Sequence, residues 1–450
     1  MQISKLNEVY LKLEIDSSLS KELANYFTFE VPGAKFMPAF RNRIWDGKIR
    51  LFSEQTGKIY VGLLPYIKQY CKKNNITINI DKGVEDVRNI VYKNVRDFIS
   101  SLRPKSKGKE LEIRDYQIDA VHHALRNHRC LLLSPTASGK SLIIYSLIRY
   151  YNLLLKDKKI LILVPTTSLV EQMYTDFESY GWNVKKNCHR LYSGYSNQTD
   201  KKVLISTWQS LYKLPKLYFE QFGAVFGDEA HLFKSKSLTE IMTKLIDCKY
   251  RIGLTGTLDG AQTHKLVLEG LFGAVNKVTS TRKLMDKKQL SNLVVRCLIL
   301  KHTEENSKMV ASGKYQDEID YLVSTKSRQN FIKNLALSLK GNTLVLFQLV
   351  EKHGQNLHQI IKDKAEADRK VFYIFGGVEA DEREAIRGIV ERENNAIIVA
   401  SYGTFSTGVN IKNLHNIIFA SPSKSRIRNL QSIGRGLRLG EIKLMRHYTT

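Results

Sequence analysis

The sequence predicts an α/β protein in which two units with parallel sheets follow a small α+β unit. Strand-like and helix-like segments alternate from residue 113 to about residue 275, and the alternation starts again near residue 340. Such alternation is typical of a parallel sheet covered by helices on both faces. The first 85 residues instead contain short strands, turn signals and one helix. A chain of 450 residues is long enough for about three domains.

The predicted boundaries follow these changes of pattern. Residues 1–85 form the small basic α+β domain, 86–112 a polar linker, 113–280 the first parallel-sheet domain, and 281–450 the second. The chain ends twelve residues after Arg438, and we expect a domain of this type to continue further.

Composition favours a polyanionic partner. Lys and Arg total 70 against 44 acidic residues, which gives a formal net charge of +26. Such an excess indicates nucleic acid. The N-terminus lacks a signal-peptide core and no run has the apolar length of a membrane span, so we expect no membrane partner. Five scattered cysteines fit a reducing compartment, and we predict a cytoplasmic protein.

The N-terminal unit should carry nucleic-acid contacts. Val9–Ile15 alternates like a strand, Ser17 or Ser18 could cap a helix reaching Tyr26, and Asp46-Gly47 and Thr56-Gly57 mark hairpin turns. Residues 31–75 hold nine basic and two acidic side chains, interleaved with seven aromatics. Most of these aromatics are expected in the core. The residues predicted to contact phosphates are Arg41, Arg43, Lys48 and Arg50.

The strongest motif is SPTASGKS at residues 134–141, between an apolar strand and an apolar helix. This context predicts a phosphate-binding loop. Backbone amides from Thr136 through Ser138 to Gly139 would form an anion nest at a helix N-terminus. Lys140 would reach the β- and γ-phosphates of a nucleotide, and the Ser141 hydroxyl would ligate Mg²⁺. Just upstream, the Gln117 amide could read an adenine edge.

A second half of a nucleotide site follows the strand Ala224–Gly227. Its sequence is DEAH, and Asp228 stands 88 residues after Lys140. Asp228 could hold Mg²⁺ and Glu229 could orient the attacking water. Near the end of the chain, Arg435 and Arg438 lie three residues apart in QSIGRGLR. On a helix they share one face and could neutralise charge developing on the γ-phosphate.

The ordered set of motifs resembles superfamily 2 helicases. It comprises RDYQ, PTASGKS, VPTTSLV, STWQS, DEAH, LTGT, SYGTFSTGVNI and QSIGRGLR, and covers about residues 113–440. Within that superfamily, the STWQS motif, the SYGTFSTG loop and the basic N-terminal unit are similar to the phage UvsW-type recombination and fork-repair helicases. The resemblance implies two RecA-like domains that bind ATP between them.

The resemblance also implies an activity and partners. It implies a DNA-dependent ATPase with 3′-to-5′ polarity that unwinds and branch-migrates D-loops, R-loops, Holliday-type junctions and stalled forks. DNA would be the partner, branched or single-stranded, with RNA met in R-loops, and the enzyme would act as a monomer in the host cytoplasm. By position, Thr255 and Thr257 would couple ATP state to DNA and Gly408 would approach the nucleotide. Strand contacts would fall to Thr166, Thr167, Thr207 and Thr404.

Three other functions remain as alternatives at this stage. An RNA helicase would carry the same motifs, because they do not select the sugar. A passive nucleic-acid-binding or annealing protein would have a decayed nucleotide site, which the complete acidic pair and both arginines disfavour. A translocating subunit of a restriction-type nuclease ranks lowest, since no separate cluster of nuclease-like acids stands out.

Overall fold

The computed structural model divides the chain into two compact units. The first comprises Met1–Ser134 and Gly139–Thr279, and the second comprises Pro135–Ser138 and Ser280–Thr450. Among the helices of the described ranges, none has both the length and the apolar character needed to cross a membrane. The structure describes residues 1–106, 108–258, 262–407, 411, 413–423, 425–437 and 446–449.

The first 80 residues form a five-stranded, mostly antiparallel sheet with two longer helices. The strand order is β5-β6-β2-β1-β7, and β7 pairs in parallel with β1. Short 3₁₀ turns occur at Ala34–Phe36 and Val61–Leu63. The elements are β1 (Gln2–Lys5), β2 (Tyr10–Glu14), α1 (Ser17–Tyr26), β3 (Thr28–Glu30), α2 (Pro38–Arg41), β4 (Lys48–Arg50), β5 (Phe52–Ser53), β6 (Lys58–Tyr60), α3 (Leu64–Lys73) and β7 (Asn79–Ile80).

Two local predictions in this region were wrong. The cap of α1 is Asp16, whose carboxylate accepts from Leu19 N–H at 2.9 Å, and not Ser17 or Ser18. The turn at Asp46-Gly47 does not join a hairpin, because β4 pairs with the distant β3. Pro38 instead starts the short helix α2, where its missing N–H costs no hydrogen bond.

Residues 86–112 are more ordered than a connector. They form α4 (Tyr92–Ser101) and a small antiparallel ladder of β8 (Lys105–Ser106) and β9 (Lys109–Glu110). Val95 and Ile99 of α4 are 1% exposed and belong to the same apolar core as residues of the following domain. Their spacing of four residues places both side chains on one face of the helix.

The first large sheet has seven parallel strands in the order β12-β13-β11-β14-β15-β10-β16. Sequence patterns predicted five of these strands and missed the short edge strands β12 and β16. A 3₁₀ turn covers Ala230–Lys234. The elements are α5 (Asp115–Asn127), β10 (Arg129–Leu133), α6 (Lys140–Leu154), β11 (Lys159–Val164), α7 (Thr167–Ser179), α8 (Val184–Asn187), β12 (Cys188–Leu191), β13 (Val203–Thr207), α9 (Trp208–Leu211), α10 (Lys216–Phe219), β14 (Phe222–Gly227), α11 (Lys236–Lys244), β15 (Tyr250–Thr255), α12 (Gln262–Phe272) and β16 (Val275–Lys277).

Alternate side chains of this sheet belong to two separate hydrophobic cores, one on each face. Leu161 and Leu163 of β11 point to one face, and Ile160 and Ile162 point to the other, as the period of two in a strand requires. The core containing Leu161 also contains apolar residues of the N-terminal sheet, such as Ile3. The N-terminal sheet and the first parallel sheet therefore share one core.

Polar contacts add to this shared core. Tyr66 of α3 donates its hydroxyl to Glu269 Oε2 at 2.5 Å, and Glu269 is only 4% exposed. Arg129 donates to Glu8 Oε2 at 3.2 Å. The two backbones also meet closely, because a Cβ added at Gly62 would lie 1.9 Å from the Glu269 carbonyl oxygen.

The second unit contains a six-stranded parallel sheet in the order β17-β22-β21-β18-β20-β19. The predicted fold class is thereby confirmed. A π-helical turn covers Val350–Gly354. The elements are α13 (Thr281–Asp286), β17 (Leu293–Arg296), α14 (Glu304–Ala311), α15 (Tyr315–Ser324), α16 (Lys326–Ser338), β18 (Thr343–Phe347), α17 (Gln355–Lys362), β19 (Val371–Ile374), α18 (Ala380–Val390), β20 (Ile397–Ser401), α19 (Tyr402–Thr407), β21 (Asn416–Phe419), α20 (Arg426–Gly436) and β22 (Arg446–Thr449).

One predicted loop in this unit is a helix. The polar stretch after β20 was expected to be a Gly-containing loop, but Tyr402–Thr407 forms α19. Tyr402 and Phe405 are 2% and 0% exposed, so apolar burial outweighs the poor helix propensity of Gly403.

Gly62→Ala tests the close backbone approach between the N-terminal sheet and α12. The added methyl group requires the two backbones to separate, and we expect a loss of about 1–3 kcal/mol in the free energy of unfolding. Chemical denaturation followed by fluorescence measures this loss. Gly388→Ala in α18 is the control, because nothing lies within 4 Å of its Cβ, and it should be neutral or stabilising. Equal stability of both variants would contradict the packing described above.

Candidate active site

Three chain segments of the first unit meet at the carboxyl edge of its parallel sheet. Ser134 follows β10, Asp228 follows β14, and Thr255 ends β15. Ser134 N–H donates to the Thr255 carbonyl at 2.9 Å, and Asp228 N–H donates to the Leu163 carbonyl at 3.0 Å. Ligands of open α/β sheets bind at this edge. The sequence-predicted phosphate loop and DEAH segment are thus neighbours in space.

The loop between β10 and α6 has the backbone shape of an anion site. Ala137 and Gly139 take left-handed conformations, with φ of 66° and 83°. The buried Ser138 hydroxyl donates to the Pro135 carbonyl at 2.6 Å and fixes the turn. Immediately afterwards α6 begins at Lys140, with its amide groups and partial positive charge at the loop. This arrangement can bind phosphate groups.

Gly139 is required at its position for a second reason. A Cβ there would lie 2.3 Å from Gln117 Nε2, which is inside contact distance. Gln117 is buried on α5, and its Oε1 accepts from Arg114 N–H at 3.0 Å. The residue predicted to read adenine therefore packs directly against the phosphate loop.

Lys140 and Asp228 supply opposite charges beside this loop. Lys140 Nζ lies 3.5 Å from the Ser134 carbonyl oxygen. Burial and the neighbouring Glu229 raise the pKa of the Asp228 carboxyl above its ordinary value, although the charge of Lys140 acts in the opposite direction. A buried carboxylate of this kind gains from a nearby cation.

The chemistry of these donors fits Mg²⁺. Among the described residues, no group of three or more His, Cys, Asp or Glu side chains could hold a metal ion. Mg²⁺ instead tends to use one or two protein oxygens together with nucleotide phosphates and water. Asp228 and Ser141, in the first turn of α6, are oxygen donors of this type.

A chain of contacts through His231 links the DEAH segment to the LTGT segment. His231 Nδ1 lies 3.4 Å from Glu229 Oε2 and 3.0 Å from Thr255 Oγ1. Thr255 Oγ1 donates to the Thr257 carbonyl at 2.9 Å, so it can accept from His231. Glu229 itself is held in a left-handed conformation, with φ of 50°. His231 therefore contacts both the predicted catalytic residue Glu229 and Thr255.

The threonines predicted to contact a strand are in different environments. Thr167 begins α7 and is exposed, and Thr166 caps that helix by accepting from Leu169 N–H at 3.4 Å. Thr207 is 4% exposed and its Oγ1 pairs with Ser210 Oγ at 3.1 Å. Thr404, in the second unit, is 6% exposed and pairs with Ser401 Oγ at 2.8 Å.

The basic residues of the N-terminal unit lie on an exposed lobe, residues 28–50. Arg41, Arg43 and Lys48 are exposed, whereas Arg50 forms an ion pair with Asp46. That pairing and the Lys48 amide lower the pKa of Asp46. The same lobe exposes large apolar side chains, which belong to Phe36, Met37, Phe40 and Ile44.

Three other residues predicted for the nucleotide site have no described side-chain position. Gly408 and Arg438 lie outside the described residues. Arg435 is within α20, but its side chain is not described. The DEAH and LTGT motifs were both predicted from the sequence, but the hydrogen bond between His231 and Thr255 was not.

Three family models match consecutive parts of the chain. A model described as "DNA helicase UvsW, N-terminal" matches residues 3–81. "Type III restriction enzyme, res subunit" matches residues 110–260, and "Helicase conserved C-terminal domain" matches residues 326–440. The three matched ranges follow one another along the chain without overlap.

Whole-chain similarity decides the family. The ATP-dependent DNA helicase uvsW of Enterobacteria phage T4 is 35% identical over 436 residues, which cover 95% of this chain and 86% of that protein. The chain belongs to the UvsW family of ATP-dependent DNA helicases. Its structure is similar to the crystal structure of T4 UvsW, with a TM-score of 0.58 and 33% identity over 100% of this chain and 89% of that one.

A more distant likeness shows how widely the fold is shared. The DNA-bound Type ISP restriction-modification enzyme LlaBIII matches with a TM-score of 0.54 and 15% identity, over 84% of this chain and 30% of that enzyme. Membership of the UvsW family makes this chain an ATP-using enzyme that acts on DNA. The catalytic and contact roles of individual residues remain predictions.

Gly139→Ala tests the packing of the phosphate loop. The added Cβ displaces the Gln117 amide and strains a backbone held at a φ of +83°, so we expect ATP-analogue affinity to fall by about tenfold or more, or about 1.4 kcal/mol. Fluorescence titration measures the dissociation constant. Gly194→Ala is a matched control, because Gly194 has a φ of +93° but nothing within 4 Å. If Gly139→Ala binds the ATP analogue as tightly as Gly194→Ala does, the packing of Gly139 against Gln117 does not shape the nucleotide site.

Proposed function

We propose that the protein is an ATP-driven motor that unwinds and branch-migrates branched DNA. Its substrates would be D-loops, R-loops, Holliday-type junctions and stalled forks, and its setting would be recombination and repair. The observation that carries the proposal is the Glu229–His231–Thr255 chain at the edge of the first sheet. Such a chain can connect nucleotide hydrolysis to movement of the protein, which a passive binding protein does not need.

Each residue at this edge has a proposed role. Lys140 would bind the transferred phosphate, and Ser141 and Asp228 would hold Mg²⁺, which polarises the phosphates when bound. Glu229 would orient the attacking water and accept its proton. Gln117 would recognise adenine. From the second unit, Gly408 would approach the nucleotide, and Arg435 and Arg438 would stabilise charge that develops on the γ-phosphate.

The proposed DNA contacts are of two kinds. Thr166 and Thr167 lie at the start of α7, where backbone amides can bind a phosphate without reading sequence. Thr207 and Thr404 have their hydroxyls engaged within the protein, so contact there would rely on the neighbouring backbone. Arg41, Arg43, Lys48 and Arg50 would hold the duplex through its phosphates.

The oligomeric state, the cellular location and the domain boundaries are also proposals. We expect a monomer in the host cytoplasm that meets RNA in R-loops. The first domain would span 1–85, the linker 86–112 and the two motor domains 113–280 and 281–450. The shared core of the N-terminal and first parallel sheets supports treating residues 1–280 as one working part.

A comparison of nucleic-acid cofactors tests the proposed function. ATP hydrolysis is measured without nucleic acid and then with single-stranded DNA, a forked duplex, a four-way junction and a matched RNA. We expect the branched DNAs to stimulate turnover most. Lys140→Ala should lower stimulated turnover by a factor on the order of a hundred while largely sparing DNA binding. Stimulation by RNA alone would make the protein an RNA motor, and turnover independent of every nucleic acid would contradict the proposal.

Arg41→Ala and Arg43→Ala test the exposed lobe. If each guanidinium contacts a phosphate, each variant should bind junction DNA more weakly and reduce the slope of log affinity against log salt by about 1. Fluorescence anisotropy at several salt concentrations measures this slope. Lys72→Ala on α3 serves as the control, because it removes an exposed charge of the same unit. An equal loss in the control would indicate that only net charge matters.

A further inference from the structure

The carboxyl edge of the second sheet contains a buried polar cluster to which no role has been given. Strands β18, β20 and β21 are adjacent and in register, with Phe347 opposite Ser401 and Leu346 opposite Phe419. Gln348 and Tyr402 directly follow β18 and β20, and Ser421 is the second residue after β21. Gln348 and Tyr402 both make hydrogen bonds to Ser421.

Ser421 is held through both its hydroxyl and its carbonyl. Gln348 N–H donates to Ser421 Oγ at 3.1 Å, and His353 Nδ1 lies 3.0 Å from the same oxygen. The Tyr402 hydroxyl donates to the Ser421 carbonyl at 2.9 Å. Ser421, His353 and Tyr402 are 3%, 0% and 2% exposed. These bonds are therefore shielded from water.

The preceding residue is fixed as well. Arg328 of α16 donates to the Ala420 carbonyl at 2.8 Å, and Ala420 N–H donates to the Leu346 carbonyl at 2.9 Å. The chain at residues 420 and 421 is thus tied to α16, to the end of β18 and to the start of α19. We call Arg328, Gln348, His353, Tyr402 and Ser421 the Ser421 clamp.

The protonation of His353 follows from its surroundings. Ser421 Oγ accepts from Gln348, so its own hydrogen can be donated to His353 Nδ1. Burial and the charge of Arg328 lower the pKa of His353 to about 4, which keeps the imidazole neutral and Nδ1 able to accept. His353 Nε2 is buried without a hydrogen-bond partner among the described residues, and such unpaired buried groups are uncommon in folded proteins.

An unusual backbone presents His353. It lies in the π-helical turn Val350–Gly354, where Gly354 N–H donates to the Leu349 carbonyl at 2.9 Å. A Cβ at Gly354 would lie 2.3 Å from the Phe347 ring, so only glycine allows the turn to pack on the end of β18. Turns of this type are frequent at functional sites.

The clamp stands directly before the helix of the expected arginine fingers. In the sequence β21 ends at Phe419, and α20, which contains Arg435, begins at Arg426. Asn429 in the first turn of α20 donates to the Ser423 carbonyl at 3.1 Å, so the connection is itself hydrogen-bonded. A shift of Ser421 would consequently move the start of α20.

We propose that the Ser421 clamp positions α20 for ATP hydrolysis, with Ser421 and His353 as positioning residues that act through Arg435 of that helix. This inference rests on the proposed function. It adds that the ends of β18, β20 and β21 set the place of α20. Small displacements of catalytic groups can lower the rate on the order of a hundredfold, so loss of the clamp should reduce kcat without a matching change in nucleotide affinity.

Ser421→Ala tests the clamp, with Thr343→Val as the matched control. Thr343 is also fully buried and at the opposite end of β18, and its hydroxyl donates to the Gly341 carbonyl and accepts from Asn416. Both changes delete a buried hydroxyl with two hydrogen bonds. We expect similar losses of thermal stability in the two variants, but a fall in DNA-stimulated kcat of about tenfold or more only in Ser421→Ala, with KM for ATP nearly unchanged.

Changes at His353 complete the experiment. His353→Leu should lower kcat like Ser421→Ala, and the double variant should be no worse than either single one, because both remove the same bond. His353→Asn keeps a short polar group and should restore part of the rate. Equal kcat in wild type, Ser421→Ala and Thr343→Val would overturn the proposed role of the clamp but would leave the proposed function standing. Absence of DNA-stimulated turnover in the wild type would overturn the proposed function and this role together.

Discussion

Parallel pairing throughout both large sheets is the constraint on which the rest of the structure depends. Because all strands of a sheet run in one direction, every residue that follows a strand comes to the same edge. In the first unit this brings Ser134, Asp228 and Thr255 to one edge, although 121 residues separate the first from the last in sequence. Short-range sequence signals at strand ends therefore become a single site without any long-range signal.

The N-terminal unit depends on a different constraint, which is its shared core with the first parallel sheet. Gly62 and Glu269 approach too closely for any side chain at residue 62, and Tyr66 and Val275 both donate to the buried Glu269 carboxylate. The N-terminal sheet and α12 belong to the same compact unit as α6. The exposed basic lobe therefore belongs to the same compact unit as Lys140.

The sequence predicted the large sheets well because their signals are local. Apolar runs such as Leu131–Leu133, followed by glycine and hydroxyl residues, are sufficient to identify a buried strand and the loop after it. Predictions failed where a distant partner decides the conformation. Asp46-Gly47 resembles a hairpin turn, yet β4 pairs with β3 twenty residues earlier. The edge strands β12 and β16 are short, and helix α19 forms because Phe405 is buried, despite a glycine-containing sequence.

Two of the contacts that the sequence did not predict are the ones to which we assign a coupling role. In the first unit His231 Nδ1 meets Thr255 Oγ1 at 3.0 Å, and in the second His353 Nδ1 meets Ser421 Oγ at 3.0 Å. Each bond joins residues at the carboxyl edge of its sheet. A buried hydrogen bond is directional and costly to leave unmade, whereas apolar contacts allow sliding. Coupling through such bonds gives a motor discrete positions, which continuous apolar packing alone would not.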